Sequence, residues 1–281
     1  MSDLHSFNEA VNARAGRKLF PSIAVGLSML ALIWLSLAFE RTAFAFLLSF
    51  ALVLATKELS TALTSVGFVN SFRTLAVAVV TISLSTWFAG INGLVIATAT
   101  SFTAIVLFSL RHGTDNFVKR ASSTALALTY LPLLGGFIIL IARPSNGLAA
   151  VMTFLLIIGC NDTFGYLVGV LIGKHPLAPS ISPKKSYEGL IGSLIGTMVG
   201  GALTFHYILD TDYRYGIVTG LVIVFTATSG DLIESAMKRD MSIKDMGNIL
   251  PGHGGMLDRI DSAIFSAPAF YLALELMKRL S

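Results

Sequence analysis

Nine apolar runs, each long enough to cross a bilayer as a helix, follow one another along this chain. They lie at about 19–39, 43–63, 72–90, 92–110, 121–141, 147–172, 189–209, 214–233 and 260–278. A spanning helix needs roughly 20 mainly apolar residues, and inside lipid every backbone polar group must be satisfied within the protein. The runs are continuous rather than alternating, which excludes a closed β-barrel. Composition agrees, with 54% hydrophobic residues among 281 and a mean hydropathy of +0.76, too little polar surface for a soluble domain of this length. The expected fold is an all-α integral membrane protein of about nine transmembrane helices. Residues 1–18 form a polar tail with no cleavable signal peptide evident, and residues 19–281 form one polytopic membrane domain.

An odd number of spans puts the termini on opposite sides, and Lys and Arg then choose the orientation. With the N-terminus inside, fifteen of the 20 basic residues fall on the inner side. The outer side keeps only Arg41, Arg143, Arg214, Lys278 and Arg279. The expected topology is therefore a cytosolic N-terminus and an outer C-terminus, in the inner membrane of the cell. The net charge of +4 follows from this bias and from contact with anionic lipid, not from nucleic-acid binding. A single cysteine, Cys160, excludes an intramolecular disulfide and a multi-Cys metal site and is expected to be a packing residue. Gly165, Gly169 and Gly173, and Gly192, Gly196 and Gly200, recur at a spacing of four. Small residues at that spacing let helices approach closely in lipid. Gly90-Ile91-Asn92 reads as a tight turn between two helices.

Charge is scarce everywhere except on the inner side of the C-terminal half. The stretch Lys238–Asp261 carries eight charged residues in 24, against 13% for the whole chain. Just before it, Asp231, Glu234, Ser235 and Lys238 fall at i, i+3, i+4 and i+7, on one helical face. That face begins inside an apolar run, where solvation is costly. A glycine-rich turn follows, Pro251-Gly-His253-Gly-Gly, whose N–H groups suit a phosphate. Asp258 and Asp261 come next, on one face of the first turn of the last run. Acids there gain from the helix dipole, or they join Asp231 in holding Mg²⁺, a hard cation that takes carboxylate oxygens and keeps water and phosphate ligands. Lys238, Arg239, Lys244 and Arg259 complement phosphates. Lys184 and Lys185 form a basic pair in the loop between the sixth and seventh runs. Asp162 lies within the sixth run, roughly 15 Å from its inner end, and a carboxylate there normally faces a polar cavity. Glu58, at the inner end of the second run, is a weaker candidate.

These residues carry a resemblance. Ser235-Ala-Met-Lys238-Arg239, Lys244-Asp245-Met-Gly247 and Leu250-Pro-Gly-His253-Gly-Gly-Met-Leu-Asp258-Arg259-Ile-Asp261 resemble the signature of the phosphatidate cytidylyltransferase (CDP-diacylglycerol synthase) family, bacterial type. Asn161-Asp162-Thr-Phe-Gly-Tyr166 and Ser182-Pro-Lys184-Lys185-Ser186-Tyr-Glu-Gly189 resemble two further segments of it. The likeness is clear over about 120–281, while the first 110 residues match as generic membrane helices. It implies a nine-helix membrane enzyme, often a homodimer, with its catalytic portion in about 145–281 and its site facing the cytosol. It also implies transfer of a cytidylyl group from CTP to phosphatidic acid, giving CDP-diacylglycerol and pyrophosphate. By resemblance, Asp231, Asp258 and Asp261 are expected as metal ligands for Mg²⁺, with room for a second cation. Lys238, Arg239 and Lys244 are expected on the phosphates, supported by Ser235, His253 and Arg259. Lys184, Lys185 and Ser186 are expected to close over substrate, and Asp162 to line the cavity. Other CTP-using lipid enzymes are the first alternative. A transporter is the second, since intramembrane acids also mark ion paths, although the charge is concentrated in one half of the chain.

Overall fold

A computed structural model of the chain describes residues 19–249 and 254–280. The expected tail, 1–18, and His253 lie outside the described residues. Nearly everything else is helix: α1 Leu19–Phe39, α2 Arg41–Ser65, α3 Phe72–Ser109, α4 Phe117–Leu128, α5 Leu134–Ala142, α6 Gly147–Ile172, α7 Tyr187–Tyr207, α8 Tyr213–Asp240 and α9 Leu257–Leu280. A π-helical stretch, Thr129–Leu133, joins α4 to α5 and contains Pro132, whose missing N–H breaks the regular helical ladder.

Seven helices among the described residues are long and apolar enough to cross a membrane. Two features separate that number from the nine runs of the sequence. The described apolar part of α1, Gly26–Phe39, is shorter than a span, and Phe72–His112 counts once as a single 41-residue helix. The latter is not straight. Gly90 has φ 64° and ψ −143°, outside the helical region, a shape that glycine reaches without steric cost. A Cβ on Gly93 would overlap the carbonyl oxygen of Ser85. In a straight helix those residues would stand about 12 Å apart. The chain thus folds back at the Gly90 turn that its sequence suggested.

The C-terminal helices pack in chain order, α6 on α7, α7 on α8 and α8 on α9. The glycine rows explain how closely. A Cβ on Gly189 would sit 2.9 Å from the carbonyl oxygen of Gly165, and one on Gly200 would sit 2.7 Å from Cys160 Sγ. Both rows therefore face each other across the α6–α7 seam, and Cys160 packs within it. Between these helices lies an element the sequence reading did not foresee. Pro176–Ala178 and Ser182–Ser186 pair as an antiparallel β-hairpin. Its base is fixed by Glu188, which accepts from the backbone N–H groups of Lys174 (3.1 Å) and His175 (3.3 Å).

The two ends of the bundle are distinct. At one end Arg41 donates to the carbonyls of Arg143 (2.9 Å) and Pro144, and Arg143 donates to that of Phe88 (3.2 Å). The other end gathers the hairpin, the end of α8 and the start of α9, where the charged residues meet.

Candidate active site

Helix α8 builds the centre. Its polar face is the one that the i, i+3, i+4, i+7 spacing predicts: Ser235 Oγ donates to Asp231 Oδ1 at 3.2 Å, and Lys238 Nζ to Glu234 Oε2 at 2.5 Å. Lys238 also reaches across to α9, donating to Asp258 Oδ1 at 2.8 Å. The three side chains of this network are withdrawn from solvent, with Lys238 16%, Asp258 8% and Glu234 2% exposed. Buried charges are tolerated only when paired and hydrogen-bonded. Asp258 meets that condition fully. Its second oxygen, Oδ2, accepts from the backbone N–H of Met246 (3.0 Å) and of Gly255 (2.9 Å).

The hairpin supplies the opposite wall. Lys185 Nζ lies 2.7 Å from Asp231 Oδ2, and this pair is wetter, 25% and 40% exposed. Ser186 caps α7 by accepting from Gly189 N–H at 3.1 Å, which satisfies one of the donors that a helix start leaves open. Arg239 Nε donates to the carbonyl of Ile181 at 3.3 Å, so the end of α8 is tied to the hairpin tip. Between hairpin, α6, α7 and α8 is a cavity of about 410 Å³, whose lining includes Asn161, Asp162, Lys184, Lys185, Ser186 and Asp231. Asp162 is steadied by Asn161 Nδ2 at 2.9 Å, and Asn161 by Ser193, which donates to its carbonyl at 2.6 Å. An intramembrane carboxylate facing a polar cavity is the arrangement expected for Asp162.

Most of the expected residues therefore come together. Asp162, Lys184, Lys185, Ser186 and Asp231 share the cavity, and Ser235, Lys238, Arg239 and Asp258 extend from it along α8 to α9. Asp261 is buried one turn further along α9 and feels the charges of Asp231, Lys238 and Asp162. Lys244 and Arg259 are exposed at the same end. Asp231, Asp258 and Asp261 do not form a single three-carboxylate set. Among the described residues no three His, Cys, Asp or Glu side chains are grouped as a metal site. The reason is local: Asp258 is turned toward Lys238 and two backbone amides, and Asp231 toward the hairpin. Sequence reasoning left Glu234 out of the site, although it stands on the singled-out face, and underrated Glu58. Glu58 is 4% exposed, and a carboxylate buried at the end of an apolar run was the signal available.

Residues 21–277 match the family model described as the cytidylyltransferase family. Among curated proteins, the phosphatidate cytidylyltransferase of Mycobacterium bovis is 33% identical over 279 residues, covering 94% of this chain and 91% of that protein. The protein of the same name from Mycobacterium leprae is 34% identical over 280 residues, 94% of this chain and 90% of its own. That of Staphylococcus aureus is 40% identical over 141 residues, 50% of this chain and 54% of that protein. The mycobacterial matches extend the likeness well beyond the C-terminal segments that first suggested it.

Proposed function

The chain belongs to the cytidylyltransferase family, and from that premise we propose that it transfers the cytidylyl group of CTP to phosphatidic acid, forming CDP-diacylglycerol and pyrophosphate. The observation that carries the reading is that Asp231 belongs both to the cavity wall and to the charged face that leads to Lys238 and Asp258. A phosphate oxygen of the lipid must attack the α-phosphorus of a second polyanion. Fixed cations offset the repulsion, and the lipid phosphate is already ionised, so positioning and electrostatics carry the catalysis. Lys184 and Lys185 offer cations from the hairpin, and Lys238, Arg239 and Lys244 from the end of α8 and the loop after it. Ser235 orients Asp231, and Asp258 orients Lys238.

Mg²⁺ fits this donor set in a restricted sense. It needs only one or two carboxylates besides substrate phosphates and water. Asp231, half-exposed on the cavity wall, supplies one, and Asp261 stands behind it. When bound, the ion would neutralise phosphate charge. Asp258 has both oxygens engaged and serves first to hold Lys238.

The fold-back at Gly90 supports counting α3 as two passes, which with α1 gives nine. The Lys and Arg bias then places the site at the cytosolic face of the inner membrane, with a cytosolic N-terminus and an outer C-terminus. A homodimer, the state the family resemblance implies, completes the reading. Purified protein given CTP, Mg²⁺ and phosphatidic acid should release pyrophosphate and form CDP-diacylglycerol; the absence of both would refute the assignment. For topology, Asn248→Cys should react with an impermeant thiol reagent only from the cytosolic side, and labelling from outside would reverse the orientation.

A further inference from the structure

Helix α9 begins in an unusual way. The first N–H groups of a helix need acceptors from outside its own ladder, and the residues just before α9 are Gly254 and Gly255, which have no side chains to offer. The acceptor comes instead from α2, almost two hundred residues earlier. Glu58 Oε1 accepts from Met256 N–H at 3.0 Å and Oε2 from Leu257 N–H at 2.9 Å. The seat around it is made of glycine. A Cβ on Gly247 would overlap the Glu58 carboxylate, and one on Gly255 would lie 2.7 Å from Glu58 Oε2 and 2.8 Å from Asp258 Oδ2. Gly247 and Gly255 are thus required by close approach, one in the Lys244–Gly247 segment and one in the glycine-rich turn.

Two carboxylates therefore hold four backbone donors of one loop. Asp258 takes Met246 and Gly255, and Glu58 takes Met256 and Leu257. Asp258 in turn fixes Lys238. We propose that Glu58 is a positioning residue of the cytidylyl-transfer site, seating the loop before α9 so that Asp258 and Lys238 keep their register. It touches no substrate group in this role. The inference rests on the reaction proposed above, and it gives the N-terminal half of the chain a part in the site.

Glu58→Gln tests it. The glutamine carbonyl replaces one acceptor, and its amide nitrogen meets the other N–H donor to donor. Turnover per folded enzyme should fall roughly 10- to 100-fold, the scale of a displacement near 1 Å, with the KM for phosphatidic acid unchanged. Hydrogen exchange should quicken in the peptide covering 244–258 and stay as in the natural chain elsewhere. Natural turnover in the folded variant, a loss equal to the loss of folded protein, or unchanged exchange would overturn the proposal. If Glu58→Gln does not fold, Gly247→Ala disturbs the same seat from the other side, and natural turnover there is equally adverse. Exchange in the natural chain needs no variant: Met256 and Leu257 amides should be slow, and fast exchange overturns the clamp. If the natural protein makes no CDP-diacylglycerol, the proposed reaction fails, while the exchange results still decide whether the clamp exists.

Discussion

Asp258→Asn should lower CDP-diacylglycerol formation by about 10²- to 10³-fold at saturating Mg²⁺, while the protein still inserts and purifies as a folded molecule. The aspartate carboxylate serves three donors, Lys238 Nζ on one oxygen and the N–H groups of Met246 and Gly255 on the other. Asparagine has one carbonyl oxygen. If that oxygen keeps the two amides, its NH₂ faces the Lys238 ammonium, donor against donor. If the side chain flips, the amides lose their acceptor. Either way Lys238 leaves its position and the local negative charge is gone. The effect on folding is smaller than for a wholly unpaired buried charge, because Lys238 retains Glu234 at 2.5 Å. A loss of about 1–3 kcal/mol is expected, the scale of unmade buried hydrogen bonds, below the 3–5 kcal/mol that breaking a buried pair outright costs. Turnover measured per folded enzyme separates the two effects. Near-natural turnover would show that Asp258 neither fixes Lys238 for the reaction nor contributes charge to it.

What the sequence made legible followed from local rules. Runs of about twenty apolar residues specify helices in lipid whatever they pack against. The Asp231–Lys238 stripe followed from helical spacing, and the glycine rows marked the α6–α7 seam through close-approach geometry. Gly90 was read as a turn because glycine tolerates the conformation found there. What stayed hidden depended on partners far away in the chain. Glu58 is one acid at the end of an apolar run, and nothing local says that it caps a helix starting at Leu257. Helices apolar on every side give no periodic signal of which neighbour each face meets. Asp258 and Asp261 looked like ligands beside Asp231 because a helix turn brings such residues to one face. The direction of each carboxylate was set by Lys238 and the backbone amides, which spacing does not report. The hairpin of Pro176–Ser186 is short and carries Pro at two positions, so it lacks the alternating pattern that marks a strand.

The Lys185–Asp231 pair calls for a different outcome. Both residues are partly in water, and exposed ion pairs contribute about 0–1 kcal/mol to stability. Lys185→Ala and Asp231→Asn should therefore shift thermal unfolding in detergent only slightly. Their activity should nonetheless drop by about 10²- to 10³-fold, because each charge stands on the cavity wall to face a polyanion, not to hold the fold. The two losses should differ in form. Lys185 faces Asp231 at 2.7 Å, and an incoming triphosphate offers the ammonium a stronger partner, which leaves the carboxylate open to a cation. Lys185→Ala removes a contact made with bound nucleotide and should raise the KM for CTP. Asp231→Asn keeps shape but removes charge, so kcat should carry most of its loss. A fall in activity that tracks a matching fall in folded protein would make the pair a structural tie between hairpin and α8. Activity lost at nearly unchanged stability would place both side chains among the groups that act on substrate.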